Sequence, residues 1–224
     1  MILLIHTYPG GSDALLRHWP YFQNSGAKEI WIITTEDGKC VVPDNTITFR
    51  IGPDKYIDGS NLPTRLIDTL EVGLASNHDH LLVAEYDVLF FHPIRYKEME
   101  HAVAAPLSGG PTWGSKAQSF SHCPWLFHRE FAERFIAEGR RVIEEGICTR
   151  ERGQASSPES SPDVFFGLVC QRLNQPIQHD LWREYSRNDL TLQGHLEEAR
   201  EAYRNGVDVL HGIKRAEELA FILS

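Results

Sequence analysis

Two acids interrupt an otherwise apolar run, Leu81-Leu82-Val83-Ala84-Glu85-Tyr86-Asp87-Val88-Leu89-Phe90-Phe91. On a β-strand, residues i and i+2 point to the same face, so Glu85 and Asp87 would present both carboxylates in one direction. Burying such charge is costly unless something compensates it. A divalent cation does so, and carboxylate oxygens are hard ligands suited to Mg²⁺ or Mn²⁺. The other reading is a strand that ends near Ala84 and leaves both acids in water. Other chemistries lack their residues. There is no G-x-x-x-x-G-K-[ST] phosphate loop, no G-x-G-x-x-G after the first strand and no G-x-S-x-G elbow. The four cysteines, Cys40, Cys123, Cys148 and Cys170, form no C-x-x-C pair. The triplet His78-Asp79-His80 lies in a polar turn and reads as a solvated loop.

The elements around this acidic pair alternate. Residues 2–6 are a short apolar strand closed by Thr7-Tyr8-Pro9-Gly10-Gly11. A helix follows, with Ser12 or Asp13 as its cap and Leu15, Leu16, Trp19 and Phe22 on one face; Pro20 predicts a kink or early end. Residues 29–34 and 46–51 read as further strands. Pro63 suits a helix start, and Leu66, Ile67, Leu70 and Leu74 form its apolar stripe. Residues 81–91 are then a buried strand. Strand and helix in this order predict βαβ units and a mostly parallel sheet, with ligands outside the strands' carboxyl ends. Further on, residues 102–105 read as a strand and 126–145 as an amphipathic helix with Phe127, Phe131, Phe135, Ile136 and Ile143 inward. The Ser/Pro-rich stretch 154–162 is a loop, and residues 151–162 are expected to close over a ligand or, on the plainer reading, to stay an idle surface loop. A helix is expected from Pro162-Asp163, a charged helix over 195–204, a strand over 207–211 and a last helix over 215–223.

The chain has 224 residues and a net charge of −9, which predicts one α/β domain and counts against broad attachment to nucleic acid. No apolar run approaches the ~20 residues of a membrane span. With no leader pattern and scattered cysteines, the expectation is reduced thiols, a cytoplasmic location and no stable membrane insertion.

A nucleotide-binding βαβαβ half, an acidic pair closing an apolar strand, and a late strand ending in His211-Gly212-Ile213-Lys214 together resemble the metal-dependent nucleotide-sugar glycosyltransferases of the GT-A fold. The resemblance covers residues 1–95 and 207–214 in order. It implies a single domain over 1–224, with a nucleotide-sugar-binding half (1–95) and an acceptor half (96–224) that carries the C-terminal metal-site strand. The family's DxD motif corresponds to Glu85-Tyr86-Asp87, with Glu in place of the first Asp. The resemblance then implies that Asp87 binds metal directly and that Glu85 meets the donor's ribose or the metal. His211 would complete the site, against the plainer reading of a strand-end histidine in water. Lys214 would add a cation beside the diphosphate, or be a surface lysine. Donor contacts fall on Thr7, Tyr8, Asn61 and Arg65, although Tyr8 also fits a simple turn and Arg65 a solvated helix position. Asp163 corresponds to the acid that takes the acceptor's proton in inverting members; alternatively it only stabilises a helix start. His122, His128, Trp113-Gly114 and Cys123-Pro124-Trp125 are further acceptor-side candidates.

The resulting expectation is a hexosyl- or pentosyltransferase using Mn²⁺ or Mg²⁺ and a nucleotide-diphosphate sugar, a UDP-sugar first. Its acceptor would be a cell-surface glycan or, less favoured by the acidic charge, a modified base of phage DNA. The competing readings are a noncatalytic nucleotide- or glycan-binding protein and a nucleotidyltransferase. The latter wants a basic phosphate loop that Tyr8-Pro9-Gly10-Gly11-Ser12 does not supply.

Overall fold

Ile2, Leu3, Leu4 and Ile5 are apolar at every position, so the strand they form has no face for water and must lie between partners. In the computed structural model, which describes residues 1–7, 9–35, 40–51, 62–106, 116–148, 161–186 and 195–224, these four side chains are fully buried. Their strand β1 (Ile2–His6) is parallel to β2 (Glu29–Thr35) on one side and to β4 (His80–Glu85) on the other. β3 (Ile47–Ile51) adds in parallel beyond β2. β7 (Trp125–His128) runs antiparallel to β4, and β6 (Val103–Ala104) antiparallel to β7. The order is β3-β2-β1-β4-β7-β6, a mostly parallel sheet flanked by helices. The chain builds outward from β1 through β2 to β3 and then returns to β1's other edge as β4. In open α/β sheets ligands bind in the crevice beyond the strands' carboxyl ends at such a reversal, here at β1 and β4, where His6 is in register with Glu85.

Helices α2 (Leu62–Leu74), α3 (Arg129–Glu144) and α4 (Pro162–Arg172) pack against one another. Phe127, Phe131, Phe135, Phe165 and Phe166 interlock there, with ring centroids 5.1–6.4 Å apart and mostly edge-on, the arrangement aromatic quadrupoles favour. A second sheet, β5-β9-β8, joins β5 (Val88–Phe90), β9 (Val209–His211) and β8 (Glu184–Ser186). Its core of Leu89, Leu210, Ile213, Leu219 and Ile222 is closed by α5 (Leu196–Arg204) and α6 (Ala216–Leu223).

The expected mostly parallel α/β architecture is therefore present, and four local expectations need correcting. The strand over 81–91 is two strands in different sheets, broken at Tyr86-Asp87. Residues 126–128 belong to β7 rather than to the helix that starts at Arg129. Helix α1 (Ser12–Gln23) runs through Pro20 without ending. The carbonyl that loses its partner there belongs to Leu16, an exposed residue where water can replace the bond. His80 starts β4, with its ring beside those of Tyr96 and His128, rather than lying in a solvated loop. Tyr8, Asn61, Trp113-Gly114 and most of the Ser/Pro-rich stretch lie outside the described residues.

Candidate functional site

The break between β4 and β5 creates the site. Glu85 is the last residue of β4, and Tyr86-Asp87 turns the chain from the large sheet to the small one. The turn is pinned from several elements. Tyr86 N–H donates to His6 O at 3.1 Å, and His18 Nδ1 on α1 donates to Tyr86 O at 2.9 Å. Gly212 N–H donates to Asp87 O at 3.1 Å. Gly212 has φ +106°, a region that L side chains rarely adopt, so glycine lets the chain leave β9 directly under Asp87.

This pinning brings the acidic pair to the C-terminal strand. Asp87 Oδ1 is 3.5 Å from His211 Nε2, and Glu85 Oε2 is 3.9 Å from the same nitrogen. Lys214 Nζ lies 3.7 Å from Asp87 Oδ2. Arg65 on α2 donates to Glu85 Oε1 at 2.9 Å, so its guanidinium holds the acid. Cys123 Sγ is 3.8 Å from His211 Nε2 and 3.9 Å from Nδ1. Glu85, Cys123 and His211 each offer a donor atom, and those atoms all lie within 4.8 Å of one another. The sequence alternative of two solvated acids does not hold for Asp87, which is 3% exposed. Its Oδ1 is buried with no hydrogen-bond partner among the described residues. A buried anionic oxygen left in that state beside an imidazole and a second carboxylate is what a cation would satisfy, so the donor set fits a divalent ion.

The charges respond accordingly. Burial pushes the Glu85 carboxyl up, against the pull of Arg65. For Asp87 burial acts in the same direction but is outweighed by His211 and Lys214, which hold it below the usual carboxylate range. Burial pushes the Cys123 thiol up to about 12. His211 is raised well above the ordinary imidazole value although burial alone would lower it. Because Cys123 is a neutral thiol at pH 7, Asp87 is the partner that carries this shift.

Two residues expected on the acceptor side, His122 and Asp163, lie alongside. His122 Nδ1 donates to Asp163 Oδ2 at 2.8 Å, and the His122 and His211 rings are 6.0 Å apart. Asp163 is in the first turn of α4, and its backbone carbonyl accepts from Ser121 N–H at 3.4 Å. Thr7 is buried at the end of β1, its N–H donating to Ile33 O. The structure thus brings together Glu85, Asp87, His211, Lys214 and Arg65, with Asp163 reaching the group through His122.

Glu184 is a member that the sequence did not reveal. It lies on β8, two residues before Ser186, whose Oγ is 3.5 Å from His211 Nδ1. Trp182 Nε1 donates to Glu184 Oε2 at 3.4 Å, while Oε1 is buried without a partner among the described residues. Burial pushes this carboxyl up to about 8. The folded chain therefore holds a proton here that the unfolded chain has released above its ordinary carboxyl pKa. Stability must fall as pH rises through the interval up to about 8. Glu184→Gln mimics the protonated form and should remove that slope, gaining about 2 kcal/mol over the parent at alkaline pH and nothing at pH 5. Urea melts of both proteins at the two pH values check this.

No family model matches the chain, and no curated protein matches it in sequence. Its fold does match solved structures. Galactosyltransferase LgtC in complex with donor and acceptor sugar analogues superposes with a TM-score of 0.55 at 13% identity, over 94% of this chain and 86% of that one. An active-site mutant of LgtC gives 0.56 at 11% identity, over 96% and 88%. At this identity the likeness establishes the fold, which is that of the GT-A glycosyltransferases.

Proposed function

We propose that this chain transfers a sugar from a nucleotide-diphosphate sugar, a UDP-sugar first, to a hydroxyl of a glycan acceptor. Mn²⁺ or Mg²⁺ would be held by Asp87, His211 and Glu85. The observation that carries this reading is the convergence of those three residues with Lys214 in the crevice beyond β1 and β4 of a GT-A fold. The structurally similar LgtC, a galactosyltransferase bound to donor and acceptor sugar analogues, supports the same substrate class.

When bound, the ion would neutralise charge on the departing diphosphate and act as a Lewis acid. The chain's own residues do the rest. Lys214 Nζ, already facing Asp87, adds a second positive charge where the diphosphate would lie. Arg65 holds and aims Glu85, its charge opposing the upward push of burial. Thr7 lies at the carboxyl end of β1 and would contact the donor, as would Tyr8 and Asn61, which lie outside the described residues. Asp163 takes the acceptor's proton, and His122 orients its carboxylate; both side chains remain 21% exposed, as groups that must meet a substrate need to be. Four free cysteines agree with a reducing, cytoplasmic setting, and no helix among the described residues is long and apolar enough to cross a membrane.

Labelled nucleotide-sugars incubated with Mn²⁺ test the reading. Release of the sugar, or its transfer to added glycans, is the expected result. Pyrophosphate release would identify a nucleotidyltransferase, and binding without turnover a noncatalytic protein. His211→Ala should weaken Mn²⁺ about 100-fold, since a direct ligand matters at least as much as the groups that orient one. It should leave the affinity for free uridine within about threefold, because that ligand carries no phosphate for an ion to bridge. Calorimetry of each ligand separates the two effects.

A further inference from the structure

Cys123 is not an expected part of a site built from two acids and a histidine, yet it is 1% exposed and lies against His211. Its sulfur is nearly equidistant from both ring nitrogens, 3.9 Å from Nδ1 and 3.8 Å from Nε2, in long hydrogen-bond contact with the ring. The loop that carries it is fixed on both sides. His122 is bound to Asp163, and Trp125 Nε1 donates to Ser121 O at 2.8 Å. The sulfur is thus delivered to this position by neighbours that do not themselves need it there.

We propose that Glu85, Cys123 and His211 together form a divalent-metal site with a sulfur donor, selective for thiophilic ions such as Zn²⁺ and Co²⁺ over Mg²⁺. The inference rests on reading this cluster as a metal centre and goes further by adding a sulfur ligand and naming the class of ion. Bonds of about 2.0–2.3 Å to oxygen, nitrogen and sulfur at a tetrahedral opening leave neighbouring donors roughly 3.5 Å apart. Around His211 Nε2 the separations are 3.8 Å to Cys123 Sγ and 3.9 Å to Glu85 Oε2. Small side-chain movements therefore close the set on an ion. Asp87 Oδ1, buried without a hydrogen bond among the described residues and 3.5 Å from the same nitrogen in an ion pair, adds a further carboxylate oxygen beside the cluster. Mg²⁺ prefers oxygens in an octahedron, whereas mixed sulfur and imidazole donors favour Zn²⁺ or Co²⁺. Binding displaces the Cys123 thiol proton and the ring proton of His211 to solvent, so the dication is met by one thiolate, the Glu85 carboxylate and a neutral imidazole, with the Asp87 carboxylate alongside. The other cysteines are not part of this group.

The test is a titration of the full chain, freed of metal, with Co²⁺. The expected result is visible d–d absorption plus a near-ultraviolet sulfur-to-cobalt charge-transfer band that saturates at one equivalent. Zn²⁺ should abolish both, and excess Mg²⁺ neither. The charge-transfer band should persist in Cys40→Ser. It should vanish in Cys123→Ser and Cys123→Ala, with Zn²⁺ affinity falling about 100-fold while the far-ultraviolet dichroism stays that of the parent. Two variants of different polarity guard against a loss of folding in one. Co²⁺ bound without the charge-transfer band, or a band that survives both substitutions, would overturn the sulfur ligand and leave the metal centre standing. No Co²⁺ binding at all would overturn both.

Discussion

Asp87→Asn is expected to lower Mn²⁺ affinity by more than about 100-fold and to abolish metal-dependent donor cleavage, with the fold intact. The substitution keeps the shape of the side chain and removes only its charge. Three neighbours depend on that charge. His211 loses the carboxylate that raises it, Lys214 loses its ion-pair partner, and the buried Oδ1 ceases to be an anionic ligand. The contact that shapes the turn, Gly212 N–H to Asp87 O, uses the backbone and survives. Melting should accordingly shift little while calorimetry shows the metal lost. Unchanged Mn²⁺ affinity in a folded Asp87→Asn protein would remove Asp87 from the metal site.

Gly167→Ala should be the most damaging single-methyl change in the site's support. A Cβ built at Gly167 would stand 2.0 Å from the backbone oxygen of Ser119. Alanine's better helix propensity offers about 1 kcal/mol, whereas forcing apart packed backbone costs about 3 kcal/mol, so the clash wins. The segment that must move leads through Ser121 and His122 to Cys123, and is tied to α4 by Ser121 N–H to Asp163 O and by the His122–Asp163 bond. The expected outcome is a lower urea midpoint together with weaker acceptor turnover. A protein of unchanged stability would mean that the 116–124 segment is not held by contact with α4.

The sequence made the acidic pair conspicuous because charge inside an apolar run has a cost that can be read without coordinates. It did not show that the run changes sheets between Glu85 and Val88. Both halves are equally apolar, and the contacts that force the turn come from His18 and Gly212, far away along the chain. Trp125-Leu126-Phe127 was ambiguous for a related reason, since a short buried apolar run has neither a helical nor a strand period. His211 and Lys214 were legible as a strand end plus a nearby cation. Cys123 was legible only as part of an acceptor-side loop, not as a partner of the acids, and Glu184 not at all. No spacing links them to the acids, and they enter the site only through a loop packed on α4 and the short strand β8. Arg65 was noticed for its type, but its partner is Glu85, a pairing set by how α2 packs beside β4.

A metal and a nucleotide diphosphate are expected to share the crevice beyond β1 and β4. Crystals soaked with Mn²⁺ and UDP, measured at the manganese absorption edge, would reveal both. One anomalous peak should stand within bonding distance of His211 Nε2 and of at least one carboxylate of Glu85 or Asp87, with the diphosphate between the ion and Lys214. Bound UDP with no anomalous peak there, or a peak elsewhere in the molecule, would contradict that expectation.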